Sequence, residues 1–210
     1  MIAEKLQQPA LAELVCQFLY NEIYAANDLT TNNVPLCKYP EFSGHISIYY
    51  STTATFYAPS ELSGIGSMHQ ETIRSNPTWW KSYPQYDTVL VNTDPTAVGI
   101  QGMLVTQVKL FLSFLYDNND YDCALVEWFE CNGEAPDPVM GLWKVKPEVW
   151  DAVQSTAIVH IDCIMCAVHL IGVYLNTTIL VDLPFYYALD AFETFYINKY
   201  ADYHSHKTLF

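Results

Sequence analysis

The sequence predicts a mainly β protein of the α+β class: a small, partly open antiparallel β-barrel flanked by an N-terminal and a C-terminal helix. Three observations carry that expectation. Residues 102–116 and 121–130 both alternate apolar with polar side chains, and the turn-forming run Asp117-Asn118-Asn119-Asp120 lies between them, which is a hairpin. Shorter β-type runs at 44–58, 88–91, 142–146, 157–162 and 167–174 are separated by Pro, Gly and Asx residues. At the two ends of the chain the hydrophobic spacing changes to three and four.

In chain order, residues 9–26 form the first helix. Leu11, Leu14, Val15, Phe18, Leu19 and Ile23 make one apolar stripe, Pro9 suits the first turn, and Asn27-Asp28 suits the stop. A loop follows through residue 40. Ile46, Ile48 and Tyr50 alternate with His45, Ser47 and Tyr49, and residues 52–58 continue in β-branched and aromatic types. Pro59-Ser60-Glu61 and Gly64-Ile65-Gly66 break the run, residues 68–74 form a short helical turn, and a Pro-flanked loop at 76–84 displays Trp79 and Trp80. The strand 102–116 puts Val108, Leu110, Leu112 and Phe114 on one face, and the returning strand does the same with Ala124, Val126 and Trp128. The closing helix, residues 189–203, carries Phe192, Phe195, Tyr196 and Tyr200 on one side. Without repeats or long linkers, residues 1–210 read as one domain whose β-rich core spans 44–182.

Composition narrows the function. The chain is 51% hydrophobic and 15% aromatic but only 15% charged, so it folds, and it carries more large amphipathic surface than a solitary protein needs. That excess implies a covered surface and a protein partner. Nine basic against 23 acidic residues give a net charge of −14. Phosphate neutralisation requires clustered Lys and Arg, and only Lys144 and Lys146 lie close in sequence, so direct DNA binding is disfavoured. Six cysteines are too few for a disulfide scaffold, and no basic segment precedes an apolar one at the N-terminus. The apolar run 158–174 is interrupted by His160, Asp162 and His169, which fits core strands rather than a membrane span. An intracellular location with reduced thiols is expected.

Several constellations have residue types that could carry chemistry. His160, Cys163, Cys166 and His169 are zinc-ligand types, but spacings of three place successive members on opposite faces of a strand. Only a tight turn at 162–165 could gather them; buried thiols and satisfied histidines are the blander expectation. Asp94, Asp162 and Glu193 imitate the two strand-end aspartates and helical glutamate of a two-metal nuclease, although Asp94 before Pro95 suits a turn and Glu193 a helix surface. Ser63 lacks a nucleophile elbow, Gly64 and Gly66 lack the third glycine of a phosphate loop, and His204 with His206 makes only half a metal site. Trp128, Trp143 and Tyr121 beside Glu127 or Glu130 could cage a methylated lysine, against the commoner use of barrel aromatics as core. Trp79 and Trp80 fit a contact surface better. No catalytic residue and no cofactor is assigned.

The stretches ATFYAPSELSGIGSM (54–68), YDTVLVNTDP (86–95), YDCALVEWF (121–129), GLWKVKPE (141–148), VHIDCIMCAVHLIGVY (159–174) and FYINKYADYHSH (195–206) resemble, in order and spacing, the C-terminal region of fungal Plavaka-type (CACTA-like) transposases. The resemblance runs from about residue 11 to residue 210. It implies a non-catalytic accessory module downstream of a catalytic domain, whose nuclease acids would precede Met1. Its implied partners are other transposase domains or chromatin, and its implied setting includes the nucleus. The chain departs from the family pattern after Gly66 and at Cys166, where basic residues are usual, as expected if nucleic-acid contact has relaxed. Residues 87–174 also resemble bromo-adjacent homology barrels in pattern.

Overall fold

The computed structural model describes residues 10–24, 38–58, 65–79, 83–97, 99–174 and 182–201. Among these the protein is mainly β, with one α-helix and an open, strongly curled half-barrel sheet. Helix α1 (Leu11–Tyr24) buries Leu11, Val15, Phe18 and Leu19 of the stripe expected from their spacing, whereas Ile23 at its end stays exposed.

The strands are β1 (Ile46–Tyr49), β2 (Ser51–Tyr57), β3 (Met68–Trp79), β4 (Tyr83–Tyr86), β5 (Thr88–Asn92), β6 (Met103–Tyr116), β7 (Asn119–Cys131), β8 (Lys144–Pro147), β9 (Val149–Trp150), β10 (Val153–Gln154), β11 (Thr156–His160), β12 (Ile164–Ala167), β13 (Leu170–Gly172) and β14 (Phe195–Ile197). The main sheet runs β12-β5-β6-β7-β8-β14-β13, with β1 added beside β6 and β11 beside β7. β12 and β13 lie at opposite margins of that order, yet only Val168 and His169 separate them in the chain. One stretch of backbone therefore spans both margins of the curl. Val168 donates to the Thr88 carbonyl, and Asn198 donates to the His169 carbonyl.

The β6–β7 hairpin is the spine. Asp117 and Asn118 both take left-handed φ, +49° and +60°, the geometry of a two-residue turn whose twist matches the strands it joins. Below it, the register shifts between Val108 and Leu110, leaving Lys109 as a bulge. The bulge overturns the expectation that Val108 shares a face with Leu110, Leu112 and Phe114. Val108 instead packs with Phe111, Ala124 and Val126, while Leu110, Leu112 and Phe114 meet α1. The Lys109 ammonium lies 3.4 Å from the Glu127 carboxylate and 4.5 Å from the Tyr86 ring centroid.

Both faces of the hairpin are thus covered. One cluster joins α1 to Leu110, Leu112, Phe114, Cys123 and Leu125; a second fills the curl with Leu90, Val105, Phe129, Val145, Cys166, Phe195 and Ile197. A third, around Phe111, includes Ile73 of β3 and is covered by Ile161 and Ile164 where the chain passes from β11 to β12.

A smaller sheet, β2-β3-β4, is continuous with the main one at Tyr50 and Asp87. The Asp87 carboxylate accepts from the Arg74 N–H at 2.8 Å and from Gln85 Nε2 at 3.0 Å, which locks the second junction. Residues 68–74, expected as a helical turn, belong to β3, because exposed and covered positions alternate there opposite β2. Residues 189–203, expected as a helix, hold a turn and then β14; the last two of them lie outside the described residues. Strand geometry wins because Phe195 and Ile197 both point into the curl between β8 and β13. Gly172 permits this packing, since a Cβ there would come within 2.4 Å of the Phe192 ring.

Candidate functional site

Among the described residues the three acidic candidates form no metal-holding group. Asp94 closes a turn, accepting from both the N–H and the hydroxyl of Thr96, and these bonds lower its pKa. Asp162 sits exposed in the turn between β11 and β12, and Glu193 lies exposed in a bend before β14. Among the described residues, no three His, Cys, Asp or Glu side chains converge as a metal-holding group.

The four zinc-type residues do not gather into one group either. His160 lies over Phe18, centroids 4.9 Å apart, and its Nε2 stands 3.2 Å from the Glu22 carboxylate, so it fastens α1 to β11. Cys163 packs against the Phe111 cluster, while Cys166 is buried inside the curl. His169 is exposed, with Nδ1 at 3.2 Å from Asn198 Nδ2. The turn at 161–163 exists, but it redirects the strand instead of folding the four side chains together.

The methyl-lysine cage does not assemble either. Tyr121 and Trp128 are seven residues apart on β7, about 23 Å and on opposite faces. Tyr121, Trp128 and Trp143 each pack against a different cluster. Glu127 and Glu130 are already engaged, by Lys109 at 3.4 Å and by Lys146 at 2.9 Å. Lys144, the other member of the one close basic pair, meets Asp137 at 2.6 Å. That contact holds the Asp137 carboxyl well below the usual range, and two backbone N–H bonds from Met140 and Val139 reinforce it.

Two aromatic surfaces stand out. The first is a cleft of about 380 Å³ lined by Trp79, Tyr83, Tyr86, Gln107, Tyr186 and Leu189. Trp79 remains 44% exposed with the Arg74 guanidinium 5.2 Å from its ring, and Tyr83 stacks on Tyr186 at 4.4 Å. Trp80, Ser63, Gly64, His204 and His206 lie outside the described residues, and Gly66 takes a left-handed φ in a short turn.

The second surface was not anticipated. β9 and β10 form a small hairpin turned by Asp151 and Ala152, with φ of +50° and +63°. Its base is fixed to β7: Glu148 N–H donates to the Trp128 carbonyl, Ser155 N–H to the Glu148 carbonyl, and Trp128 N–H to the Ser155 carbonyl. Its apolar side chains are exposed. Trp150 is 79% exposed, Val153 68% and Val149 54%. One signal for it is present in the sequence: Val149-Trp150 and Val153 are β-forming residues on either side of the two-residue break Asp151-Ala152.

Among the described residues no helix is long and apolar enough to cross a membrane. No family model matches the chain, and no curated protein or solved structure matches it.

Proposed function

We propose that this chain is a non-catalytic interaction module, derived from the region downstream of a Plavaka-type transposase catalytic domain, and that its partner is a protein: another transposase domain or a chromatin component. The transposon origin rests on the sequence resemblance. The interaction role rests on one observation above all, the β9–β10 hairpin, which holds Trp150 out in solvent on a backbone-anchored base. Interface anchors are characteristically rigidly held aromatic side chains, and an indole left in water is a cost that a bound partner removes.

Electrostatics favour a protein partner over nucleic acid. The net charge is −14, and Lys109, Lys144 and Lys146 are each committed to a carboxylate of the same chain. The bromo-adjacent homology likeness is part of this proposal only as a pattern shared over residues 87–174.

The test is incubation of the full chain with supercoiled DNA in magnesium or manganese, followed by chromatography with a Plavaka-type catalytic region supplied in trans. No cleavage and co-elution are expected. Magnesium-dependent cleavage abolished by Asp162→Asn would overturn the proposal in favour of a nuclease using Asp94, Asp162 and Glu193.

A further inference from the structure

The geometry points to a specific partner chemistry for the β9–β10 hairpin: we infer that it is a recognition finger for a basic protein surface, whose apolar pocket takes Trp150 while its Lys or Arg side chains meet Glu148 and Asp151. This inference rests on the interaction-module proposal and narrows it.

Presentation comes first. Val153 pairs with Trp150 across the hairpin, so the two side chains share one face directly beside the turn. Gln154 Nε2 adds a 3.2 Å bond to the Trp128 carbonyl, beneath the backbone bonds that root the finger. The backbone that carries Trp150 is therefore ordered before a partner arrives. Ala152 holds φ +63°, a conformation in which an L-residue other than Gly, Asn or Asp is strained. A glycine would relieve that strain; the finger keeps its shape without one.

Charge identifies the occupant. Glu127, Glu130 and Asp137 each have a lysine partner on this chain, whereas Glu148 and Asp151 are exposed and have no ion pair among the described residues. The finger thus offers an indole flanked in sequence by two exposed carboxylates on a protein of charge −14. A basic surface complements that pattern. An anionic bilayer is repelled by it, and a second copy would bring like carboxylates together.

The experiment titrates the full chain with a basic amphipathic helical peptide, lysines on one face and leucines on the other, with polylysine as the charge-only control. Binding of the amphipathic peptide is expected to weaken at least about tenfold in Trp150→Ala. It should weaken less in Glu148→Gln/Asp151→Asn, which should also flatten its salt dependence. Polylysine binding should be indifferent to Trp150. Wild-type protein that ignores the amphipathic peptide, or Trp150→Ala that binds it unchanged, overturns the inference. So does Trp150-dependent binding to phosphatidylserine or phosphatidylcholine vesicles, or Trp150-dependent dimerisation in sedimentation. Peptide binding lost in Trp79→Ala but retained in Trp150→Ala would move the site to the aromatic cleft and leave the interaction-module proposal intact, whereas magnesium-dependent DNA cleavage would remove that proposal itself.

Discussion

The β6–β7 and β9–β10 hairpins are turned by the same device and put to opposite uses. Each reverses through two residues in left-handed φ, Asp117-Asn118 in one and Asp151-Ala152 in the other. In the first, the flanking strands continue for more than ten residues and are covered on both faces, by α1 on one side and by β3 and the 161–164 turn on the other. In the second, the strands last two residues each, and the apolar side chains beside the turn are largely in water. Turn chemistry specifies that a hairpin forms; the length and covering of its arms decide whether it is core or contact surface.

The largest effect is expected at Phe111, 2% exposed on the long hairpin. Phe111→Ala should cost about 3–5 kcal/mol in urea unfolding, and a loss below about 1 kcal/mol would mean that the spine does not carry the fold. A smaller effect is expected at Asp137, whose carboxyl is held low by Lys144 and by the N–H groups of Met140 and Val139. A depressed native pKa adds stability that is fully present above the ordinary aspartate range and disappears as pH falls through and below it. Lys144 is shifted upward by the same contact, so its share persists until pH rises past the usual lysine range. Asp137→Asn should therefore flatten the acid limb of a melting-temperature profile between about pH 5 and pH 2; an unchanged limb would show that the pair is not formed in solution.

The short hairpin should respond in the other direction. Ala152→Gly relieves left-handed strain and should stabilise by about 0.5–1 kcal/mol, whereas a loss of that size would contradict the turn geometry. Smallest of all, Trp150→Ala should shift unfolding by no more than about 0.5 kcal/mol, because most of the side chain is already in water. A loss above about 2 kcal/mol would place the indole in a core and end the contrast between the hairpins.

Much of the architecture was legible where side chains state their local geometry. The stripe from Leu11 to Leu19 marked α1, and Asp117-Asn118 between alternating runs marked the spine. What could not be read depended on distant partners. Phe195 and Ile197 repeat at two, while Phe192, Phe195 and Tyr196 repeat at three and four, so the same residues satisfied both periods until β8 and β13 decided between them. β3 was hidden because its polar positions, from His69 to Asn76, look like a surface helix or loop unless β2 and β4 are known to flank it. Tertiary context also scattered the candidate sites: Tyr121, Trp128 and Trp143 looked like a set but serve three clusters. Trp150 went unnoticed because an exposed and a buried tryptophan are identical in a one-dimensional reading.

The late position of β14 in the chain sets the order in which the molecule can assemble. The spine and its turn are local and complete once residue 131 is available, so they can form while the rest is still being synthesised. The curl is different: β14 lies between β8 and β13, and its residues come 48 positions after the end of β8, from Pro147 to Phe195. Until Phe195 to Ile197 has left the ribosome, both neighbouring strands present raw edges and Val145 lacks its cover, so the chain is most prone to aggregate in that interval.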